Sequence, residues 1–176
     1  MNLELICAFD EFLKSKKLTF EGVAIGGGAL IILEVISRVT RDIDVLSPEI
    51  PENIHHAAVE FAQQEKRWGL KENWFNNGPI SLQRDLGSHW QLHLQEIFRG
   101  KSLILYTLGK ADLLKTKLFA YCDRTEPDFQ DLINMKPTSE EIDQAKSWVL
   151  ERDMSPLWPN RVETAFADLK KALGYE

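Results

Sequence analysis

Residues 26–46, GGGALIILEVISRVTRDIDVL, decide how this chain reads. Three glycines open an apolar run, and two aspartates separated by one residue close it. Successive side chains on a strand face opposite ways, so Asp42 and Asp44 share one face while Ile43 and Val45 share the other, the core face. Two carboxylates about 7 Å apart on one strand face repel unless a divalent cation or basic side chains compensate them. Arg38 and Arg41 are near enough in sequence to do so without any metal. The glycines weigh toward a ligand, because a glycine run between strand and helix brings backbone amides close to an anion. Its spacing matches neither the dinucleotide fingerprint nor the Walker loop, which excludes both.

Outward from this stretch, residues 19–27 (TFEGVAIGG) read as a strand running into glycine, 28–38 as a helix buried on nearly every side, and 41–48 (RDIDVLSP) as a second strand. Upstream, Leu3, Ile6, Cys7, Phe9, Phe12 and Leu13 recur at helical spacing. Downstream, a helix is predicted over 51–67, and 68–90 reads as loops with weak strand. Residues 90–98 (WQLHLQEIF) alternate as a strand that pairs across the RGKS turn with 103–108 (LILYTL). Four helices then follow, over 110–124, 127–135, 138–153 with Thr138 or Ser139 as cap, and 161–173. The predicted class is α+β: a central mixed sheet flanked by helices over 1–108, and a helical C-terminal part over 109–176, packed as one unit.

With 176 residues, 44% hydrophobic and 27% charged, the chain can bury a sizeable core. Its net charge of -6 argues against a protein that grips nucleic acid by bulk positive charge. Cys7 and Cys122 read as buried reduced thiols. The first residues carry acids and no cleavable apolar core, and no run reaches membrane-spanning length, so a cytoplasmic location without membrane contact is expected.

The glycine loop, the helix after it and the Asp-Ile-Asp strand resemble the first motif of the minimal nucleotidyltransferase, or DNA polymerase beta-like, superfamily. The form seen here, with Arg38, Thr40, Asp42 and Asp44, is similar to its AbiEii-type branch, bacterial proteins several of which serve in toxin-antitoxin and abortive-infection systems. A second patch, residues 111–132 (ADLLKTKLFAYCDRTEPDFQDL), resembles the same branch through Asp112, Lys117, Leu118, Arg124, Asp128, Asp131 and Leu132.

This resemblance implies a transferase that moves a nucleoside monophosphate from a nucleoside triphosphate to a hydroxyl of a protein, an RNA or a small molecule. Mg²⁺ (or Mn²⁺) is implied as cofactor, and a cognate toxin or antitoxin as partner. Asp42 and Asp44 are implied as metal ligands, Gly26, Gly27 and Gly28 as the phosphate cradle, and Arg38 and Thr40 as neighbours of the metal. Lys117 is implied as a phosphate-facing cation, with Arg124, Asp128 and Asp131 contacting the nucleotide or positioning Lys117. A third acid is expected on a neighbouring strand. Glu96 is the available candidate, although alternation sets it on the face of Trp90, Leu92 and Leu94. His89 and His93, on the same predicted strand, read more simply as packing or surface residues than as metal ligands. The alternative implication is a member that keeps the fold without catalysis, as a nucleotide- or protein-binding antitoxin or regulatory module.

Overall fold

The alternation about the two aspartates is reproduced in three dimensions. In the computed structural model, which describes residues 3–35, 42–124 and 126–175, Ile43 and Val45 are fully buried while Asp42 and Asp44 are half-buried. The chain divides into two units, Met1–Gly109 and Lys110–Glu176. The first mixes helices with a sheet and the second is helical, so the fold is α+β as predicted.

In the first unit, α1 (Leu3–Ser15) leads to β1 (Phe20–Ile25), α2 (Gly26–Ile32), β2 (Ile43–Ser47) and α3 (Glu52–Gln64). The two-residue β3 (Phe75–Asn76), then β4 (Gln95–Arg99) and β5 (Leu103–Thr107), complete it. The strands lie in the order β3-β2-β1-β5-β4. Central β1 is antiparallel to β2 and parallel to β5, β3 is parallel to β2, and β4 is antiparallel to β5. The antiparallel pairing brings the end of β1, where the glycines begin, beside the start of β2, where the acids lie. Ile25 is opposite Asp44.

The core of this unit joins α1, α3 and the strands. Phe9 meets Phe61, Trp74 and Phe75 with ring centroids between 4.9 and 5.5 Å, separations at which tilted and edge-on pairs attract. The indole of Trp74 donates its N–H to the Ala58 carbonyl at 2.9 Å, so its one polar group is satisfied in the core. Asp10 is also buried. Its Oδ1 accepts the N–H groups of Ser102 and Leu103, each at 2.7 Å, and its Oδ2 accepts that of Lys101 at 3.1 Å. One carboxylate thereby closes the β4–β5 turn, and Gly100 is required there because a Cβ would stand 2.2 Å from Oδ1.

Three expectations are corrected. The helix after the glycines is shorter than predicted, since α2 ends at Ile32 and Glu34 takes a left-handed φ of 58°. Residues 90–93 form a 3-10 turn, not the start of a strand. Trp90 is buried but Leu92 is 76% exposed, and pairing with β5 begins only at Gln95. Cys7 is exposed, because the buried face of α1 is Leu5, Ile6, Phe9 and Leu13, whereas Cys122 is buried and its burial pushes the thiol up to about 12. A disulfide reagent at neutral pH is therefore expected to modify one thiol of the folded chain rapidly, and none in Cys7→Ser. Two rapid thiols would contradict the burial of Cys122.

The second unit packs α4 (Lys110–Arg124), α5 (Asp128–Met135), α6 (Ser139–Leu150) and α7 (Trp158–Ala172) around Leu118, Leu132, Ile142, Val149, Trp158 and Val162. Thr138 caps α6 in a reciprocal box: its hydroxyl accepts the Glu141 N–H, and the Glu141 carboxylate accepts the Thr138 N–H. Among the described residues, no helix is long and apolar enough to cross a membrane.

Candidate functional site

The glycine loop lies directly on the strand that bears the acids. Gly26 has φ +75°, and a Cβ there would stand 2.9 Å from Asp44 Oδ2. A Cβ on Gly28 would stand 2.9 Å from the Asp42 carbonyl oxygen. Both positions thus need glycine for approach, and Gly26 needs it for backbone conformation as well. Gly26→Ala is expected to distort the loop against Asp44 and to weaken any ligand bound there by at least about tenfold, with a stability loss near 1 kcal/mol or more. Ligand titration and thermal melting of the variant measure both.

On the other side of β2, β3 sets Asn76 opposite Asp44. The Asn76 amide donates from Nδ2 to Asp44 Oδ1 at 3.2 Å and accepts the Gly78 N–H on Oδ1 at 2.7 Å. β3 therefore faces Asp44 with an amide and not with the third acid expected on a neighbouring strand. Glu96 is on edge strand β4, three strands from β2, or about 14 Å at ordinary strand spacing. There it pairs with Arg99, whose hydrogen bond holds the Glu96 carboxyl below the usual carboxylate range. Sequence reading missed Asn76. Its one signal is Asn-Asn-Gly after Trp74-Phe75, a turn following two buried aromatics.

Asn76 and Asn77 also border a cavity of about 580 Å³ whose other walls include Glu49, Glu52 and His55. Arg38 and Thr40, expected beside the acids, lie outside the described residues. His89 precedes the 3-10 turn before β4 and His93 ends it. Among the described residues, no group of three or more His, Cys, Asp or Glu side chains is placed to hold a metal ion. Asp42 and Asp44 offer two carboxylates on one strand face, a donor type suited to Mg²⁺ when a ligand supplies further oxygens.

The second patch is gathered within the second unit. The Lys117 ammonium donates to Asp128 Oδ1 at 2.8 Å and to Asp131 Oδ2 at 2.6 Å. All three residues are buried. Arg124, largely exposed, reaches Asp128 Oδ2 at 3.2 Å. The i to i+3 spacing of the two aspartates in the first turn of α5 turns both toward one cation on α4. Asp112 instead pairs with Lys115 at 3.0 Å, a local helix contact.

No curated protein and no solved structure matches this chain. A family described as "Nucleotidyltransferase of unknown function (DUF6036)" matches residues 2–152, which take in the glycine loop, both acids and the Lys117 cluster. The chain belongs to that nucleotidyltransferase family.

Proposed function

We propose that the chain is a divalent-metal-dependent nucleotidyltransferase that moves a nucleoside monophosphate from a nucleoside triphosphate to a hydroxyl acceptor. The observation that carries this reading is the seating of Gly26 on Asp44, which joins a Cβ-free backbone loop to a paired-carboxylate strand. In this reading Asp42 and Asp44 hold Mg²⁺ (or Mn²⁺), and the backbone of Gly26, Gly27 and Gly28 cradles the phosphates. The resemblance gives Arg38 and Thr40 a role beside them. When bound, the cation supplies neutralisation of triphosphate charge. The nucleotide-facing role of Lys117, Arg124, Asp128 and Asp131 rests on the resemblance alone; within the second unit the two aspartates fix the Lys117 ammonium in a buried cluster.

The cavity bordered by Asn76 is suited to the acceptor. Its described walls carry Glu49 and Glu52 and no lysine or arginine, a poor match to nucleic acid phosphates. A hydroxyl on a protein or a small molecule fits better. A role beside a cognate toxin or antitoxin is supported by the AbiEii-type resemblance alone.

Incubation with labelled nucleoside triphosphate, Mg²⁺ and a cell lysate is expected to label an acceptor, and Asp42→Ala with Asp44→Ala is expected to lower that labelling by about a thousandfold or more. Equal labelling by the double variant sinks the assignment. A second reading, a nucleotide-binding module without turnover, is favoured by the amide at Asn76 in place of a third acid. It predicts Mg²⁺-dependent nucleotide binding by calorimetry with no labelling in any lysate.

A further inference from the structure

Asn76 is committed at both ends, toward Asp44 through Nδ2 and toward the Gly78 N–H through Oδ1. Chemistry fixes this orientation, because the reversed amide would set a carbonyl against a carboxylate and an NH₂ against an N–H. Asn76 therefore turns a donor toward Asp44, where an acid would turn a second ligand oxygen toward a cation. We propose that Asn76 makes divalent-cation binding at this site conditional on the nucleotide, so that the cation enters as a metal–triphosphate complex. The inference rests on the nucleotidyltransferase reading above.

Hard divalent cations take six or more oxygen ligands, and affinity rises with the number and charge of those the protein supplies. Asp42 and Asp44 supply two carboxylates, and β3 adds none. The phosphate oxygens of the nucleotide complete the shell. An aspartate at 76 would still accept the Gly78 N–H, but it would bring a carboxylate against Asp44 about where the amide nitrogen now lies. Like charges so placed repel until a cation joins them. The single change Asn76→Asp is therefore expected to create a cation site that needs no nucleotide.

Mn²⁺ serves as the probe, with bound and free ion separated by electron paramagnetic resonance and heats measured by calorimetry. The wild type, Asn76→Asp and Asn76→Ala are compared with and without the α,β-methylene analogues of ATP and GTP. Without analogue, Asn76→Asp is expected to bind Mn²⁺ at least about tenfold more tightly than the wild type, and Asn76→Ala no more tightly. With analogue, the wild type is expected to gain at least as much. Should Asn76→Asp fail to fold, Mn²⁺ binding by the wild type and Asn76→Ala only in the presence of analogue supports the proposal. Wild type that binds Mn²⁺ as tightly alone as with analogue overturns it and leaves the nucleotidyltransferase reading standing. Analogue that adds nothing in any of the three proteins overturns that reading, and the proposal with it.

Discussion

Lys117→Met is expected to destabilise the second unit by about 3–5 kcal/mol, the cost of stranding buried carboxylates without their cation. Asp131 is fully buried and Asp128 nearly so, and both direct an oxygen at the Lys117 ammonium within 2.8 Å. Methionine replaces the methylene stem and removes the charge, so the loss reports electrostatics more than packing. Arg124 still reaches Asp128, and Asp131 is the more deeply buried of the two acids. Lys117→Met combined with Asp131→Asn should therefore recover much of the loss. Neutralising Asp128 as well should return the unit close to wild-type stability, as happens when a buried ion group is replaced whole. Urea unfolding followed by circular dichroism measures all three. A single variant within about 1 kcal/mol of wild type would mean that the cluster behaves as a solvated surface pair.

Asp10→Ala is expected to cost about 3 kcal/mol or more, because three backbone N–H groups lose one shared, charged acceptor. Two of those groups, on Ser102 and Leu103, are in buried surroundings where water is a poor substitute. Asp10→Asn should fall between. It keeps one acceptor oxygen but turns an NH₂ toward an N–H that needs an acceptor. Chemical denaturation gives the ranking wild type, Asn, Ala. Amide exchange at Lys101, Ser102 and Leu103 should quicken ahead of the rest of the sheet. Uniform quickening would assign the loss to α1 rather than to the turn.

What the sequence revealed about the site follows from how local each signal is. The facing of Asp42 and Asp44 was legible because strand alternation depends on nearest neighbours alone. The bounds of α4 were legible because Gly109 and Pro127 punctuate a long periodic run. Asn76 was not, because β3 has two residues and owes its place to register with Ile43 and Asp44, partners more than thirty positions away. Trp90, Leu92 and Leu94 alternate in sequence, but a three-residue turn period carries Leu92 into solvent and delays the strand to Gln95. The extent of α2 was overestimated because apolar content continues past Ile32 while the backbone turns at Glu34. The Lys117 cluster was legible in membership, whereas its burial depends on how α4 and α5 meet.

The central position of β1 has a consequence for synthesis. Its partner β2 follows within a short span, whereas its parallel partner β5 is made only after roughly eighty further residues. Closing so long a loop is entropically slow, and parallel pairing cannot begin before β5 has left the ribosome. Until then one edge of β1, Phe20–Ile25, carries unpaired amides beside buried-type side chains, a template for pairing with another chain. Chains truncated just before Leu103 should therefore aggregate, and those extended past Thr107 should stay in solution. The strand that leads into the glycine loop thus waits for the last strand of the sheet to be made before it has both of its neighbours.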